Sequence, residues 1–133
     1  MEIQEYSNYN ENEILRLYSS VGWTAYTENK TALRKGYEQS LLTLAAYENG
    51  ELLGVIRVVG DGFTVVLVQD LLVFPEKQRK GVGTALLRAV LERYGSVRQI
   101  ELVTDDTPET AAFYSSLGFK ELSKLGCLGF MKC

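Results

Sequence analysis

Val73-Phe74-Pro75-Glu76-Lys77-Gln78-Arg79-Lys80-Gly81-Val82-Gly83-Thr84 is the stretch on which the fold turns. Its front end reads as the close of a strand, its middle as a basic loop punctuated by glycine. Behind the glycines, Val82, Leu86, Leu87, Val90, Leu91 and Tyr94 recur at helical spacing, with Arg88, Glu92 and Arg93 on the opposite face. Gly95 ends that helix. A strand that enters a helix through such a loop leaves several backbone amides without partners, all aimed at one spot. The positive end of the helix dipole adds to the same spot, so the geometry suits an anion, and phosphate in particular.

Upstream, residues 1–6 read as a short first strand. Ile14, Leu15 and Tyr18 give a helix over 10–20 with Asn10 or Asn12 as its cap, and Val21-Gly22-Trp23 breaks it. A second helix is expected from Asn29 to Gln39. The period then shortens: 42–47 and 52–59 read as strands joined by Asn49-Gly50, a strong two-residue hairpin signal. After Asp61-Gly62 a third strand is expected from Phe63 to Val73, completing an antiparallel meander. Downstream, 99–104 reads as a strand, and Thr107-Pro108 opens a helix that Gly118 ends. Phe119–Leu122 and Gly126–Lys132 read as two closing strands. The expected class is α/β (α+β), with a mixed, mostly antiparallel sheet flanked by helices in the order β-α-α-β-β-β-α-β-α-β-β.

The bulk numbers narrow the chemistry. At 133 residues and 46% hydrophobic, the chain is expected to form one domain with a packed core. No apolar run reaches the roughly 20 residues of a membrane span, and the N-terminus lacks a secretion-signal pattern. A cytoplasmic protein without a membrane partner is the expectation. With 0 histidines, Ser-His-Asp and Cys-His mechanisms are excluded, and 2 cysteines make no zinc site. No metal is expected. Cys127 and Cys133 read as buried or idle thiols, too far apart on a strand for a local disulfide. A net charge of −3 argues against a nucleic-acid partner.

Other phosphate motifs fail on the residues. The string Gly-x-x-x-x-Gly-Lys-Ser/Thr does not occur, and the dinucleotide fingerprint would need glycine or alanine where Leu86 stands. Gln78-x-x-Gly81-x-Gly83 resembles the Gln/Arg-x-x-Gly-x-Gly/Ala signature of the GNAT superfamily of N-acetyltransferases. Phe113-Tyr114-Ser115-Ser116-Leu117-Gly118-Phe119 resembles that family's aromatic-Tyr-x-x-x-Gly-Phe block. The order of elements agrees along nearly the whole chain, which reads as a single N-acetyltransferase domain over 1–133. Val21-Gly22-Trp23 and Asp70-Leu71-Leu72-Val73-x-Pro75 are also similar to a branch of small proteins that includes plant serotonin-type N-acetyltransferases. That thinner likeness does not extend to the substrate.

The resemblance implies acetyl-CoA as co-substrate, held where the strand ending at Val73 parts from the strand at 99–104. Its pyrophosphate would lie on the amides of Arg79, Lys80, Gly81, Val82, Gly83 and Thr84, behind Gln78. Its pantetheine arm would run along Leu71, Leu72 and Val73 like an added strand, with the Val73 amide facing the thioester carbonyl.

The acceptor would be a small-molecule amine. Tyr114 is the candidate donor to the leaving sulfur; without the surrounding motif it would be one more core aromatic. Asp70 is a candidate base or ammonium anchor, or else an ordinary strand carboxylate. Alternation puts Asp70 and Leu72 on one face, and Leu71 and Val73 on the other. Glu28, Asp61, Asp105, Asp106 or a water relay are alternatives for the base. Trp23 and Tyr26 are candidate substrate contacts, against the commoner role of core packing. The competing function is a non-catalytic acyl-CoA sensor or partner-regulating domain. A homodimer through Phe119–Cys133 is also expected.

Overall fold

A computed structural model describes the whole chain, Met1–Cys133. It divides into two compact units, Met1–Val103 and Thr104–Cys133.

The first unit holds a five-stranded sheet in sequence order: β1 (Glu2–Glu5), β2 (Leu42–Glu48), β3 (Glu51–Gly60), β4 (Val65–Val73) and β5 (Gln99–Leu102). The first three pairings are antiparallel, and β4 with β5 is parallel. The β2–β3 turn uses Asn49 at φ 52° and Gly50 at φ 77°. Both central residues are thus left-handed, as a tight hairpin matched to strand twist requires.

Helix α1 (Glu11–Ser20) begins where Asn10 Oδ1 accepts from the Glu13 amide at 3.1 Å. A four-residue helix α2 (Thr24–Thr27), not expected from the sequence, follows the break at Gly22. Helix α3 (Lys30–Glu38) is capped by Asn29 through the Ala32 amide. Ile14, Leu17 and Tyr18 from α1 pack with Leu33 and Tyr37 from α3 onto Ala45, Val55 and Leu72 of the sheet. Fully burying a large aliphatic side chain is worth about 1.5–3 kcal/mol, so this cluster is a principal source of stability. Helix α4 (Val82–Arg93) buries Val82, Leu86, Leu87 and Val90, none of them in that cluster. It packs on β2, β3 and β4 from the other face, making three layers.

The pairing of β3 with β4 contains one irregularity that matters later. Arg57 lies opposite Asp70, yet the next residue, Val58, lies opposite Val68. Gln69 is therefore the extra residue of a β-bulge, a feature that bends and twists its strand. The pairing of β4 with β5 ends beside it, at Val68 opposite Leu102.

In the second unit, α5 (Pro108–Ser116) starts at Thr107, whose hydroxyl accepts from the Thr110 amide. The two expected closing strands are absent, which corrects the expected element order. Leu122–Leu125 instead forms a 3-10 turn closed by Gly126 at φ 77°. Amides of Lys124, Gly126 and Cys127 take the carbonyls of Glu121, Ser123 and Leu122. Those local bonds take up backbone groups between Glu121 and Cys127 that a ladder would need, and alternating apolar residues alone do not supply a neighbouring strand. Cys127 and Cys133 are free, as expected of idle thiols, but both are exposed rather than buried.

Candidate active site

The first unit carries the loop, the open strand edge and a buried polar network. Along β4, the Phe74 amide donates to the Leu53 carbonyl of β3 at 3.0 Å. Alternation then turns the Asp70 and Leu72 amides toward β3 and presents N–H and C=O of Leu71 and Val73 on the opposite edge. On that edge, β5 has already ended its pairing at Val68. Leu71 and the Val73 amide thus offer unpaired backbone groups to an extended ligand, the arrangement used in strand addition. The Val73 carbonyl has one partner, the Gln78 side-chain amide, which donates to it at 3.1 Å.

A 3-10 turn over Pro75–Lys77 redirects the chain from the strand. Arg79 then adopts φ 62° and Gly81 φ 84°, so left-handed residues alternate with Lys80 between them. Successive amides in such a chain converge into a concave anion site. The Lys77 and Gln78 amides are used in the turn, and Ala85 donates to Gly81 within α4. None of the turn or cap hydrogen bonds employs the amides of Arg79, Lys80, Gly81, Val82, Gly83 or Thr84. Gly81 also caps α4 without a side-chain bond. A Cβ built on Gly81 would meet no atom within 4 Å, so glycine is required there by the backbone angle rather than by crowding.

Asp70 sits in a different setting from an open strand carboxylate. It is 1% exposed, and its Oδ2 accepts from Arg57 Nε at 2.7 Å and from the Tyr18 hydroxyl at 2.6 Å. Tyr18 spends its one proton on Asp70, so Tyr37 must donate across their 2.9 Å contact. Arg57 also donates to Ser40 Oγ at 3.2 Å and lies over the Tyr37 ring. Gly36 leaves the room, since a Cβ there would come within 3.2 Å of the guanidinium. Burial lowers the Arg57 pKa, but Asp70 overrides it and the net direction is upward. Burial first, then Tyr37 and Asp70, push the Tyr18 hydroxyl far above the tyrosine range. Asp70 Oδ1 is buried without a hydrogen-bond partner.

Beside this network, Trp23 and Tyr26 stack at 5.9 Å, and both rings meet Tyr18. The Gln69 side chain donates to the Tyr26 hydroxyl at 3.3 Å. The bulge residue therefore ties the aromatic pair to the point where β4 leaves β5. Gln69, Arg57 and Tyr18 were not singled out from the sequence; only the skipped register, visible once β3 is paired, brings them to the site.

Tyr114 belongs to the second unit. It is half-buried, with Phe113 and Phe119 edge-on at 5.0 and 5.8 Å. Burial pushes its hydroxyl upward, against a hydrogen bond from Thr104. Among the alternative bases, Asp61 is committed elsewhere. It accepts from the Phe63, Thr64 and Val65 amides and the Thr64 hydroxyl, and those bonds hold its carboxyl well below the usual range.

A sheet opened at a bulge, with an amide-lined turn at its fork, defines the GNAT class of fold. The family model for the acetyltransferase (GNAT) domain matches residues 39–121, and the chain belongs to that family. A GNAT-family acetyltransferase from Streptococcus pneumoniae TIGR4 superposes with a TM-score of 0.90 at 36% identity, covering 99% of this chain and 96% of that one. An aminoglycoside 6'-N-acetyltransferase complexed with coenzyme A shares the fold, with a TM-score of 0.71 at 19% identity over 89% of this chain and 84% of that one. Mycothiol acetyltransferase of Kineococcus radiotolerans is 33% identical over 107 residues, 78% of this chain. An N-acetyltransferase of Gracilaria tenuistipitata var. liui is 28% identical over 116 residues, 83% of this chain. The chain spans 35% of the length of the former and 62% of the latter. No helix is long and apolar enough to cross a membrane.

Proposed function

We propose that residues 1–133 act as one N-acetyltransferase domain, moving acetyl from acetyl-CoA to the primary amine of a small molecule. The observation that carries this reading is the pairing of an unoccupied β4 edge at Leu71 and Val73 with the open amides from Arg79 to Thr84. The edge fits an extended pantetheine arm and the turn fits a pyrophosphate. Lys77, Arg79 and Lys80 supply the countercharge in an acidic chain. A mycothiol acetyltransferase among the relatives and an aminoglycoside N-acetyltransferase among the fold neighbours agree with a small acceptor.

Acetyl-CoA supplies an activated acetyl thioester. The amine's lone pair forms the new C–N bond, the C–S bond breaks, and coenzyme A leaves as its thiolate. In this reading the Val73 amide donates to the carbonyl oxygen as negative charge gathers there. A donor already in place is worth about 3 kcal/mol at such an oxygen. Tyr114 protonates or hydrogen-bonds the departing sulfur, and its raised pKa keeps it a donor at neutral pH. Trp23 and Tyr26 form the acceptor's apolar wall. Asp70 is not assigned as ammonium anchor, because Arg57 already neutralises its charge. The acceptor's ammonium form first gives a proton to water, which frees the attacking lone pair, and the nitrogen gives its second proton to water once the C–N bond has formed.

Calorimetry with coenzyme A and acetyl-CoA, followed by thiol release over an amine panel, tests the assignment. Binding with turnover on at least one amine is expected. Binding without turnover on any would favour the sensor, and no binding would end both readings. We further propose homodimerisation through Phe119–Cys133. Exposure of Leu128, Phe130 and Met131 at 73%, 92% and 72% supports it, and light scattering measures it.

A further inference from the structure

The Arg57–Asp70 pair lies directly across the strands at the residue where the β3–β4 register shifts. We propose that this buried pair is a register key: it holds the extra residue at Gln69 and thereby keeps the Leu71 and Val73 backbone on the open edge. Arg57 and Asp70 are positioning residues that act through the strand.

Two registers compete here. In the observed one, Arg57 meets Asp70, Val55 meets Leu72 and Ile56 meets Leu71. Without the bulge, the downstream part of β4 would slip by one residue. Asp70 would then face Ile56, whose side of the sheet is covered by α4. Arg57 would face Gln69 and lose its carboxylate. Both charges would be buried unpaired, the costliest outcome for an ion pair. A one-residue slip also exchanges the faces of every residue involved, sending Leu72 out of the cluster it shares with Ile14, Leu17 and Tyr18.

An apolar pair at these positions would pack in either register and would not choose between them. The charged pair chooses, and Tyr18 reinforces the choice because its hydroxyl reaches Asp70 only on the α1 side. Gly54 leaves room for the observed register. A Cβ there would fall 2.5 Å from the Leu72 carbonyl oxygen, so the observed approach of the strands needs glycine.

The consequence for the site follows from strand alternation. In the bulged register the Asp70, Leu72 and Phe74 amides bond to β3, and those of Leu71 and Val73 are free. In the slipped register the assignment reverses. The edge would then present the Leu72 amide instead of the two that flank it, and its spacing to the loop after Val73 would change. The link from register to coenzyme binding rests on the proposed function; the link from ion pair to register does not.

Amide hydrogen exchange on the full chain, without ligand, reads the register directly. The wild type is expected to show slow exchange at Asp70, Leu72 and Phe74 and fast exchange at Leu71 and Val73. The double variant R57M/D70L removes both charges at similar volume and should still unfold cooperatively. Its Leu72 protection is expected to fall at least tenfold while Leu71 and Val73 gain protection, and its Kd for coenzyme A should rise at least tenfold. Asp70→Asn needs no repacking and keeps an acceptor for Tyr18, so it serves if the double variant does not fold. It should shift exchange in the same direction, more weakly, and leave the shape of the kcat/KM–pH profile unaltered. Wild-type exchange in both variants overturns the proposal. So does a lost limb of the pH profile in Asp70→Asn at wild-type exchange, which would make Asp70 the base through its free Oδ1. Absence of coenzyme A binding by the wild type would sink the proposed function and leave the exchange test intact.

Discussion

Gln78 donates its side-chain amide to the carbonyl of Val73 across 3.1 Å, closing the turn between the open strand edge and the amide-lined loop. The first residue of the Gln-x-x-Gly-x-Gly string is thereby a brace. It fixes the distance from the proposed carbonyl-binding amide to the proposed pyrophosphate amides. Gln78→Leu keeps the bulk and loses the donor. A net hydrogen bond is worth about 1 kcal/mol, so Tm should fall by a few degrees at most, and the Kd for coenzyme A should rise by up to about fivefold in calorimetry.

Gly81 separates backbone geometry from space. An alanine there meets nothing within 4 Å but must hold φ 84°, at about 1–2 kcal/mol for a left-handed non-glycine residue. Gly81→Ala should fold with Tm lowered by a few degrees. Its affinity for coenzyme A should fall more than Gln78→Leu's, because the cap amides re-aim when the angle relaxes. Unchanged affinity in titration would remove this turn from ligand binding.

Tyr114→Phe tests the donor. It should lower kcat by an order of magnitude or more, with the Kd for acetyl-CoA within about twofold of wild type. The raised Tyr114 pKa means the donor stays protonated as pH rises toward the ordinary tyrosine value of about 10. An activity limb assigned to it should therefore lie above that value. Pre-steady-state thiol release in the variant is the check.

The buried tyrosines set an alkaline limit on stability. Burial raises Tyr18 and Tyr37 above their unfolded value of about 10. The folded state thus keeps protons that the unfolded state releases. Their contribution is whole below pH 10 and is lost as pH climbs through the folded-state values. Urea midpoints should hold from pH 7 to about 9.5 and drop beyond pH 10, less steeply in Y18F/Y37F.

Tyr18→Phe has its own cost at neutral pH. It leaves Asp70 Oδ2 with Arg57 alone and Tyr37 without its acceptor. Losing buried partners of this kind costs about 1–3 kcal/mol. Denaturant unfolding should show that loss with an unchanged m-value.

Much of the fold was legible because its signals are local. Asn10, Asn29 and Thr107 cap the helices that periodicity indicates, and Asn49-Gly50 places the first hairpin within a residue. The turn from Val73 to Val82 was readable for the same reason: its amides are freed by the chain's own angles. The closing strands over 119–132 were misread because a strand exists only where another strand completes it. Asp70 was singled out as a candidate base or ammonium anchor, but its partner Arg57 lies 13 residues away and is brought to it only by strand pairing.

The order of residues alone determined the helix starts, the hairpin and the amide-lined turn, since each depends on neighbours a few positions apart. Tertiary structure alone decided that Gln69 bulges, that Leu71 and Val73 face outward, and that Asp70 is paired and closed from solvent. Those outcomes depend on which of two registers buries its charges in company, a comparison between strands that no single segment contains.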